Sequence, residues 1–420
     1  MTTPPMQLCG ISEVPPGSVL GSIVSDPRKP DHDLLRPGVE LDRDLLAGLK
    51  QRGVSQLWIE DNLTKDLDAA VAPGLTASRL ATYTQLRDSL SACARRSVSC
   101  AAMQGYRQAV MGMVLESIAS SQYAGMTDTL FGAGGQASHG TNVAYLSLLC
   151  GLHIEAYVVR EQPRLPVKDA REMSSLGLAG LLHDIGKTKL LPRVSTFHDL
   201  HAKENGGDAD RPEGYTDHGS LGHAMLEFSR APARVAYTML HHHQRFDGHG
   251  WPTVPRRDDD KIREPLSGRR IHIFARIVAA ANVLDNLLRD AQGERRPPVA
   301  ALHAFASPRF DGWFDPVVRA AMLARIPPFA IGTQITLSNG RRGVVVRPNL
   351  ESPCRPEVRL IPDRDSDTPQ TLALDATRSV TITHALGVDV ANYLYDLPAA
   401  IWPDAADECP EPNATESEAA

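Results

Sequence analysis

The sequence predicts a mainly α protein: a helical bundle with a small mixed N-terminal unit and a small β-rich C-terminal unit. Long runs with helical periodicity dominate residues 104 to 330. Short apolar runs alternate with Gly and Pro between Gly17 and Asn62, and alternating apolar residues surround Asn339-Gly340. A chain of 420 residues is too long for one ordinary domain, so we expect several units.

We expect the units to divide where the composition changes. The predicted segments are a small mixed α/β N-terminal unit at 1–70, a linker or helical connector at 71–103, a helical domain at 104–328, a β-rich C-terminal extension at 329–400 and an acidic disordered tail at 401–420. The connector has helix-forming composition but weak periodicity, which leaves open a linker helix or a dimerisation element. In the extension, Asn339-Gly340 is the residue pair best suited to a type I′ hairpin turn.

Composition and charge exclude several classes of protein. Hydrophobic residues make up 42% and charged residues 22%, the mix of a globular rather than a disordered or fibrous chain. The net charge of -6 gives no global attraction to nucleic acid or anionic membranes, so local Arg and Lys must hold any anionic ligand. The six cysteines are scattered without a CxxC pair, and no secretory leader or long apolar span is evident. We therefore expect a cytoplasmic protein with no disulfide framework and no cysteine zinc site.

The histidines are concentrated in one third of the chain. Twelve of the 15 lie between His139 and His272, many at predicted helix ends and turns. The key element is LLHDIGK, in which an apolar helix delivers His183 and Asp184 side by side at its end, Gly186 stops the helix and Lys187 follows. Adjacent helical residues point about 100° apart, so both side chains can reach one cavity wall. Asp184 could there bridge two cations while His183 binds one of them.

Two metal ions about 3.5 to 4 Å apart suit phosphodiester hydrolysis, because they activate a bridging water and stabilise charge on the phosphoryl group. Further imidazoles are available from His139, His218 and the pair His242-His243. A set of imidazoles and carboxylate without thiolate fits iron, manganese, zinc or nickel, and we expect iron or manganese.

Each histidine segment also has an ordinary structural interpretation. A single residue such as His139 or His218 is more often a capping or core residue than a ligand, and the triplet at 241–243 could be a polar helix end. The joint occurrence of four such segments in one order favours a metal site.

With these residues identified, the segment resembles an HD-GYP domain, the metal-dependent phosphohydrolase subgroup that hydrolyses cyclic di-GMP. The resemblance covers about half of the chain and rests on a His opening a helix, the HDIGK run, a His followed by LG-type residues and the run HHQRFDGHGWP. It implies a helical HD-domain bundle that opens the ring to pGpG, and further to GMP, with a hydroxide held between two metals. The metal ligands it implies are His139, His183, Asp184, His218, His242, His243 and, in the last ligand position, Asn282.

The resemblance also assigns residues to catalysis and substrate binding. Asp184 and Lys187 would be catalytic, with Lys187 acting at the phosphate or polarising the nucleophilic water. The substrate-binding residues it implies are Lys187, Asp247, Gly250, Trp251, Pro252 and Arg296. Trp251 replaces the usual Tyr and Gln244 the usual Glu, and both changes look mild.

Three departures from the family pattern bear on whether the domain can bind its metals and catalyse hydrolysis. Asn282 stands where a metal-binding Asp is usual and brings no charge, unless Asp285, one helical turn on, substitutes for it. Gly135 stands where members with three metals carry Glu, which argues for two metals. The arginine that meets a phosphate is displaced to Arg296 by extra residues.

These departures leave rival hypotheses open. A degenerate domain could bind cyclic di-GMP or a partner protein without hydrolysis, and an HD phosphohydrolase could act on another nucleotide. We expect a cyclic dinucleotide as partner rather than a nucleic-acid polymer or a membrane, while a homodimer and signalling protein partners stay open. The mixed charges between Arg256 and Arg270 favour a solvated loop over a ligand-attracting patch.

Overall fold

A computed structural model of the protein describes residues 6–64, 67, 77–119, 135–195, 211–289, 296–362, 369–374 and 379–397. The predicted acidic tail at 401–420 lies outside these residues. The helices are α1 Arg43–Gln51, α2 Ala77–Cys93, α3 Cys100–Ala119, α4 Gln136–His153, α5 Glu155–Arg160, α6 Val167–Ala170, α7 Ser174–Leu182, α8 Pro192–Ser195, α9 Asp217–Met225, α10 Ala233–His241, α11 Ile273–Leu287, α12 Pro298–Ala306 and α13 Pro316–Arg325. The strands are β1 Met6–Gly10, β2 Ser18–Val19, β3 Val24–Asp26, β4 Lys29–Leu35, β5 Glu40–Leu41, β6 Gln56–Glu60, β7 Thr253–Pro255, β8 Arg263–Pro265, β9 Gln334–Leu337, β10 Arg342–Arg347, β11 Glu357–Leu360, β12 Thr371–Ala373, β13 Ile382–Ala385 and β14 Val388–Asp389. The predicted mainly α fold, with a β-rich C-terminal unit, is confirmed.

The N-terminal unit consists of short antiparallel strand pairs and α1. Strand β1 pairs with β6, and Asp42 caps α1 by accepting a hydrogen bond from the Leu45 N–H at 2.8 Å. Leu20 and Leu41 are fully buried in its core. A parallel bridge between Leu8 and Thr333, next to β9, brings this unit into contact with the C-terminal unit.

The helical bundle is built around α7, whose residues are buried on every face. This helix is apolar all round, which is the pattern of a helix enclosed by others. Helices α4, α10 and α11 pack against it. Helix α2, which lies in the segment predicted as a connector, packs on α3 and α4 and buries Tyr83 and Leu86 in the main core. In the structure the helical unit therefore includes α2.

A buried charge cluster holds α11 in place. The Arg276 side chain is 2% exposed and contacts Asp315 at 2.5 Å and Glu161 at 2.6 Å. Tyr157 donates a hydrogen bond to the same Asp315 carboxylate at 2.8 Å. Because a buried ion pair is costly to break, these contacts set the position of α11 relative to α5 and α13.

The C-terminal unit is a six-stranded antiparallel sheet in the order β12-β11-β10-β9-β13-β14. The predicted hairpin at Asn339-Gly340 is present as β9 and β10, but the predicted type I′ turn is wrong. Gly340 has φ +81° whereas Asn339 is not among the described residues with positive φ, and a type I′ turn needs both. The Leu337 N–H instead bonds the Arg341 carbonyl around a three-residue loop that ends in the left-handed glycine. None of the described helices combines the length and apolarity needed to cross a membrane.

Candidate metal centre

Four helix ends bring the predicted histidines together. His139 lies in the first turn of α4, and His183 and Asp184 follow the last residue of α7. His218 is the second residue of α9, and His242 directly follows α10. These segments are far apart in the sequence, but the bundle brings them to one place.

The donor atoms form two groups that share one carboxylate, and within each group the atoms lie within 4.8 Å of one another. We name them by their histidines. The two-histidine group consists of His139, His183 and Asp184. The three-histidine group consists of Asp184, His218, His242 and His243. Asp184 Oδ2 lies 3.6 Å from His139 Nε2 and 3.5 Å from His183 Nε2, while Oδ1 lies 3.4 Å from His218 Nε2 and 3.6 Å from His242 Nε2.

The imidazole rings of the centre are oriented through their Nδ1 atoms. In three of them Nδ1 donates to the carbonyl three residues earlier: His183 to Gly180 at 2.8 Å, His218 to Tyr215 at 2.6 Å, and His242 to Met239 at 2.8 Å. A carbonyl only accepts, so in each ring Nδ1 carries the proton and Nε2 presents its lone pair to the centre. This arrangement presents Nε2 as the ligand atom.

His139 is oriented differently, by a side chain 146 residues further along the chain. Its Nδ1 lies 2.7 Å from Oδ2 of Asp285 on α11, and Asn142 donates to the other oxygen of that carboxylate at 2.8 Å. Asp285 therefore holds a proposed ligand from behind, as the carboxylate of a carboxylate–histidine–metal arrangement does.

Burial keeps the rings of His183, His218 and His243 neutral at physiological pH. Loss of hydration lowers the pKa of His183 to about 4 and that of His218 to about 3, and it lowers the pKa of His243 well below its usual range. Burial alone would raise the pKa of Asp184, but the adjacent ammonium charge of Lys187 opposes this effect, and that pKa lies well below the usual range. A cation at the centre would therefore meet an ionised Asp184 carboxylate and the neutral imidazoles of His183, His218 and His243.

The residues present fit a pair of divalent cations. His139 Nε2, His183 Nε2 and Asp184 Oδ1 are buried and lack a hydrogen-bond partner among the described residues. Such atoms are costly to bury unless something binds them. The donors are nitrogen and oxygen only, which suits divalent cations of the first transition series.

Lys187 completes the polar core of the centre. Its Nζ lies 2.7 Å from Asp184 Oδ2, and the side chain is 9% exposed. The ammonium also lies over the ring of Tyr215, 5.4 Å from its centroid. Lys187 thus places a positive charge directly beside the shared carboxylate.

Comparison with known proteins agrees with this geometry. Residues 154–318 match the HD domain family, a range that includes every proposed ligand except His139. The chain is also 27% identical to a cyclic di-GMP phosphodiesterase of Pseudomonas aeruginosa, in an alignment that covers 77% of each protein. The chain contains an HD domain, and the two matches together support an enzymatic phosphohydrolase. Its histidine and aspartate cluster is accordingly a site that can hold divalent metal.

In this HD-domain protein the loop that follows His242 and His243 forms one wall of the centre. The Trp251 ring stacks on His243 with centroids 3.9 Å apart and planes 15° apart, and the backbone N–H of Trp251 donates to the His243 carbonyl at 3.2 Å. A side chain at Gly250 would place its Cβ 2.3 Å from the Arg245 nitrogen, so only glycine fits there. The absence of a side chain at Gly250 therefore lets the backbone place Trp251 against the His243 ring.

Gln244 fastens this loop to its surroundings. Its Nε2 donates to the Pro252 carbonyl at 2.5 Å, and its Oε1 accepts from the Leu266 N–H at 3.0 Å. The amide is 3% exposed and uses both its donor and its acceptor. An ionised Glu could only accept hydrogen bonds. Gln244 therefore makes a bond to the Pro252 carbonyl that the usual Glu could not make.

Asp247 is engaged within the loop. Its carboxylate contacts Arg245 at 2.5 Å and accepts from the His249 N–H at 3.0 Å, while its own N–H donates to the Gly312 carbonyl at 2.8 Å. The contacts described for Asp247 thus shape the turn.

The charged stretch beyond the Trp251 loop is paired internally. Arg256 contacts Asp258 at 2.6 Å, and Arg270 contacts Glu264 at 2.7 Å, with largely solvated side chains. These ion pairs agree with the expected solvated loop.

Asn282 and Arg296 are placed differently from the histidines. Asn282 is 7% exposed on α11, and its Oδ1 accepts a hydrogen bond from Asn286 Nδ2 at 3.0 Å. Arg296 lines a cleft between the helical, N-terminal and C-terminal units, and none of the residues that line this cleft belongs to the two donor groups. The structure therefore brings the histidines, Asp184, Lys187 and Trp251 together but not Arg296.

Gly186 acts through packing. The sequence predicted that it stops α7, but that helix already ends at Leu182 and Gly186 is not among the described glycines with positive φ. A Cβ at this position would lie 1.9 Å from the His218 carbonyl oxygen. Gly186 therefore lets α9 approach closely enough to deliver His218.

Two residues of the site were not predicted from the sequence. Tyr215 supplies the carbonyl that orients His218, and its buried ring contacts His218, His243 and Trp251. Gln136 Nε2 donates to the Asp184 carbonyl at 2.5 Å. The position three residues before a predicted ligand would have pointed to Tyr215, whereas nothing local points to Gln136.

Proposed function

We propose that the protein hydrolyses cyclic di-GMP to linear pGpG, and further to GMP, with two divalent metal ions held by the two donor groups. The observation that carries this proposal is the buried carboxylate of Asp184 shared by both groups. A shared carboxylate is the residue type needed to hold two cations close together. The cyclic di-GMP phosphodiesterase of Pseudomonas aeruginosa, which aligns over 77% of both chains, supports this substrate.

Each group of residues has a distinct task in this proposal. His139 and His183 hold one cation, the three-histidine group holds the other, and Asp184 contributes to both. The cations would supply Lewis acidity toward the phosphoryl oxygens and acidify a water molecule between them. The chemistry of the donor set favours iron or manganese.

Lys187 and Trp251 act on the substrate side. The ammonium of Lys187, 2.7 Å from Asp184, keeps that carboxylate ionised and adds positive charge where a phosphodiester would bind. Trp251 covers His243, and its partly exposed ring offers an aromatic surface to a base. We assign Asp247, Gly250 and Pro252 to the support of this surface.

Turnover of cyclic di-GMP by the purified, iron- or manganese-loaded chain tests the proposal. The variant Asp184→Asn keeps the shape of the side chain but removes its charge. We expect kcat/KM to fall by about 10³-fold or more, because several kcal/mol of transition-state stabilisation depend on the cations. Asp44→Asn, at an exposed Asp in the first turn of α1, is the matched control and should leave turnover unchanged.

Metal analysis of the same samples adds a second readout. We expect about two ions per chain in the parent protein and fewer in Asp184→Asn. A parent protein that carries two ions and still cannot open the ring would refute the proposed substrate.

The hydrogen bond between Asn282 and Asn286 favours a second candidate function. An Asn engaged in this way brings no charge to the cations, so a domain that binds cyclic di-GMP without hydrolysis is the alternative. Equilibrium binding of cyclic di-GMP to a protein that carries no ions and shows no turnover would favour this effector over the enzyme.

A further inference from the structure

A second cleft lies where the three units of the protein meet. It has a cavity volume of about 100 Å³ and is lined by Gln56 of the N-terminal unit, Arg296 at the entrance to α12, and Leu386 and Val388 of the C-terminal sheet. Phe329, in the segment between the helical bundle and the sheet, is also part of its lining. Most of the lining is apolar, so the cleft is suited to an apolar body.

The cleft contains three features that attract an anionic or hydrogen-bonding group. The first is the guanidinium of Arg296, which contacts no acidic side chain in the described parts of the chain. The second is the hydroxyl of Thr333, which is 3% exposed and has no hydrogen-bond partner among the described residues. The third is the N-terminus of α12, where Pro297 provides no side-chain cap.

These features match one ligand class. A single guanidinium balances a single negative charge, and a helix N-terminus favours an anion in the same place. A buried hydroxyl without a partner carries a desolvation cost, which a ligand oxygen would remove. The apolar walls require that the rest of the ligand be hydrocarbon or aromatic.

We propose that this cleft binds a small apolar molecule with one anionic head group, a carboxylate or a sulfonate, which contacts Arg296 and Thr333. The site is separate from the metal centre and does not depend on the function proposed for it. Because the lining comes from all three units, an occupant stabilises their arrangement as well as the helical bundle.

Two fluorescent probes with one aromatic framework test the proposal. Anilinonaphthalene sulfonate carries one anionic group, and phenylnaphthylamine is its neutral counterpart. We expect the full chain to bind the sulfonate saturably with one site per chain, and the neutral probe more weakly. The variant Arg296→Gln should weaken the sulfonate by about tenfold while changing the neutral probe by less than about twofold.

Further variants separate the head group from the apolar body. Arg296→Lys should retain most of the affinity for the sulfonate, and Thr333→Val should lose part of it. Val388→Trp, at a position 46% exposed, should fill the cleft and remove both probes without unfolding the protein. Arg341→Gln, at an exposed arginine of the β9–β10 hairpin, is the control and should bind both probes normally.

The melting temperature adds a measurement that does not rely on probe fluorescence. Saturating sulfonate should raise the melting temperature of the parent protein and of Arg341→Gln, but not that of Val388→Trp. Sulfonate binding that does not saturate, or that survives both Arg296→Gln and Val388→Trp unchanged, would overturn the proposal.

Discussion

The two halves of the metal centre share Asp184 but are built differently. The three-histidine group draws its imidazoles from α9 and the end of α10, and the carbonyls of Tyr215 and Met239 orient two of these rings. The two-histidine group instead depends on Asp285, which reaches His139 from a position 146 residues further along the chain. One half is therefore set largely by local backbone, and the other by the packing of α4 against α11.

This difference predicts that the two groups bind their cations with unequal affinity. The three-histidine group supplies four donors in total, whereas the two-histidine group supplies three and has Asn282 where a carboxylate is usual in the family it resembles. Fewer donors and one charge less should make the cation of the two-histidine group the weaker and more easily lost of the two. The following predictions test this order.

The largest effect is expected from His218→Ala. The Nε2 atom of His218 lies within 3.3 Å of the Nε2 atoms of both His242 and His243, at the middle of the three-histidine group. We expect loss of the tightly held ion and a fall in kcat/KM of about 10³-fold or more. His223→Ala removes an exposed histidine from the same helix and should change neither ion content nor turnover.

A smaller and one-sided effect is expected from Asp285→Asn. Loss of the carboxylate that orients His139 should weaken the cation of the two-histidine group by about 10- to 100-fold, the usual cost of losing an outer-shell partner. The other cation should be retained. Titration with a competing chelator would resolve the two ions, and equal weakening of both would contradict the proposed division.

The opposite change is expected from Asn282→Asp. Position 282 lies one helical turn before Asp285, the partner of His139. We therefore expect an added carboxylate there to tighten the cation of the two-histidine group by about tenfold, because opposite charges a few Å apart attract by more than ~1 kcal/mol even in a high dielectric. The same chelator titration measures it. An unchanged affinity would mean that position 282 does not contact the ion.

The smallest effect concerns acid stability of the metal-free protein. Burial lowers the pKa of His272 to about 4, and its neutral Nδ1 caps α11 by accepting from the Phe274 N–H at 3.1 Å. The folded state therefore binds fewer protons than the unfolded state between pH 6.5 and 4. This contribution to stability is complete above about pH 6.5 and is lost as the pH falls toward 4.

The variant His272→Asn isolates that contribution, because Asn also caps helices but does not titrate. The free energy of unfolding of this variant should depend less on pH across that window than in the parent protein. The remaining dependence belongs in part to His183, whose pKa is also about 4, and to His218, whose pKa is about 3. An unchanged pH dependence would assign all of it to groups other than His272.

The sequence predicted the parts of the site that depend on residue type and local periodicity. An apolar helix that ends in His183-Asp184, and histidines at three other helix ends, are visible as patterns and did converge in space. The β9–β10 hairpin was likewise predicted, although the type I′ turn expected for it was wrong. Local patterns identified the participants because each ligand lies at or near a helix end.

The parts that could not be predicted depend on contacts between distant segments. Nothing in the sequence around Asp285 indicates that it reaches His139, and a change from Glu to Gln at position 244 looks mild until its two hydrogen bonds are known. Arg296 was expected at a phosphate but lines the cleft at the junction of the three units. Each of these outcomes follows from tertiary packing, which a single sequence does not reveal.

The carbonyls that hold His183, His218 and His242 each lie three residues before the ring they orient. Freezing a side chain in one rotamer costs conformational entropy, a cost that often falls on the binding step. Here the chain meets much of that cost when each helix end forms, before any cation arrives. The rings are already oriented toward a cation before it binds. Little of the binding free energy is therefore spent on ordering these side chains.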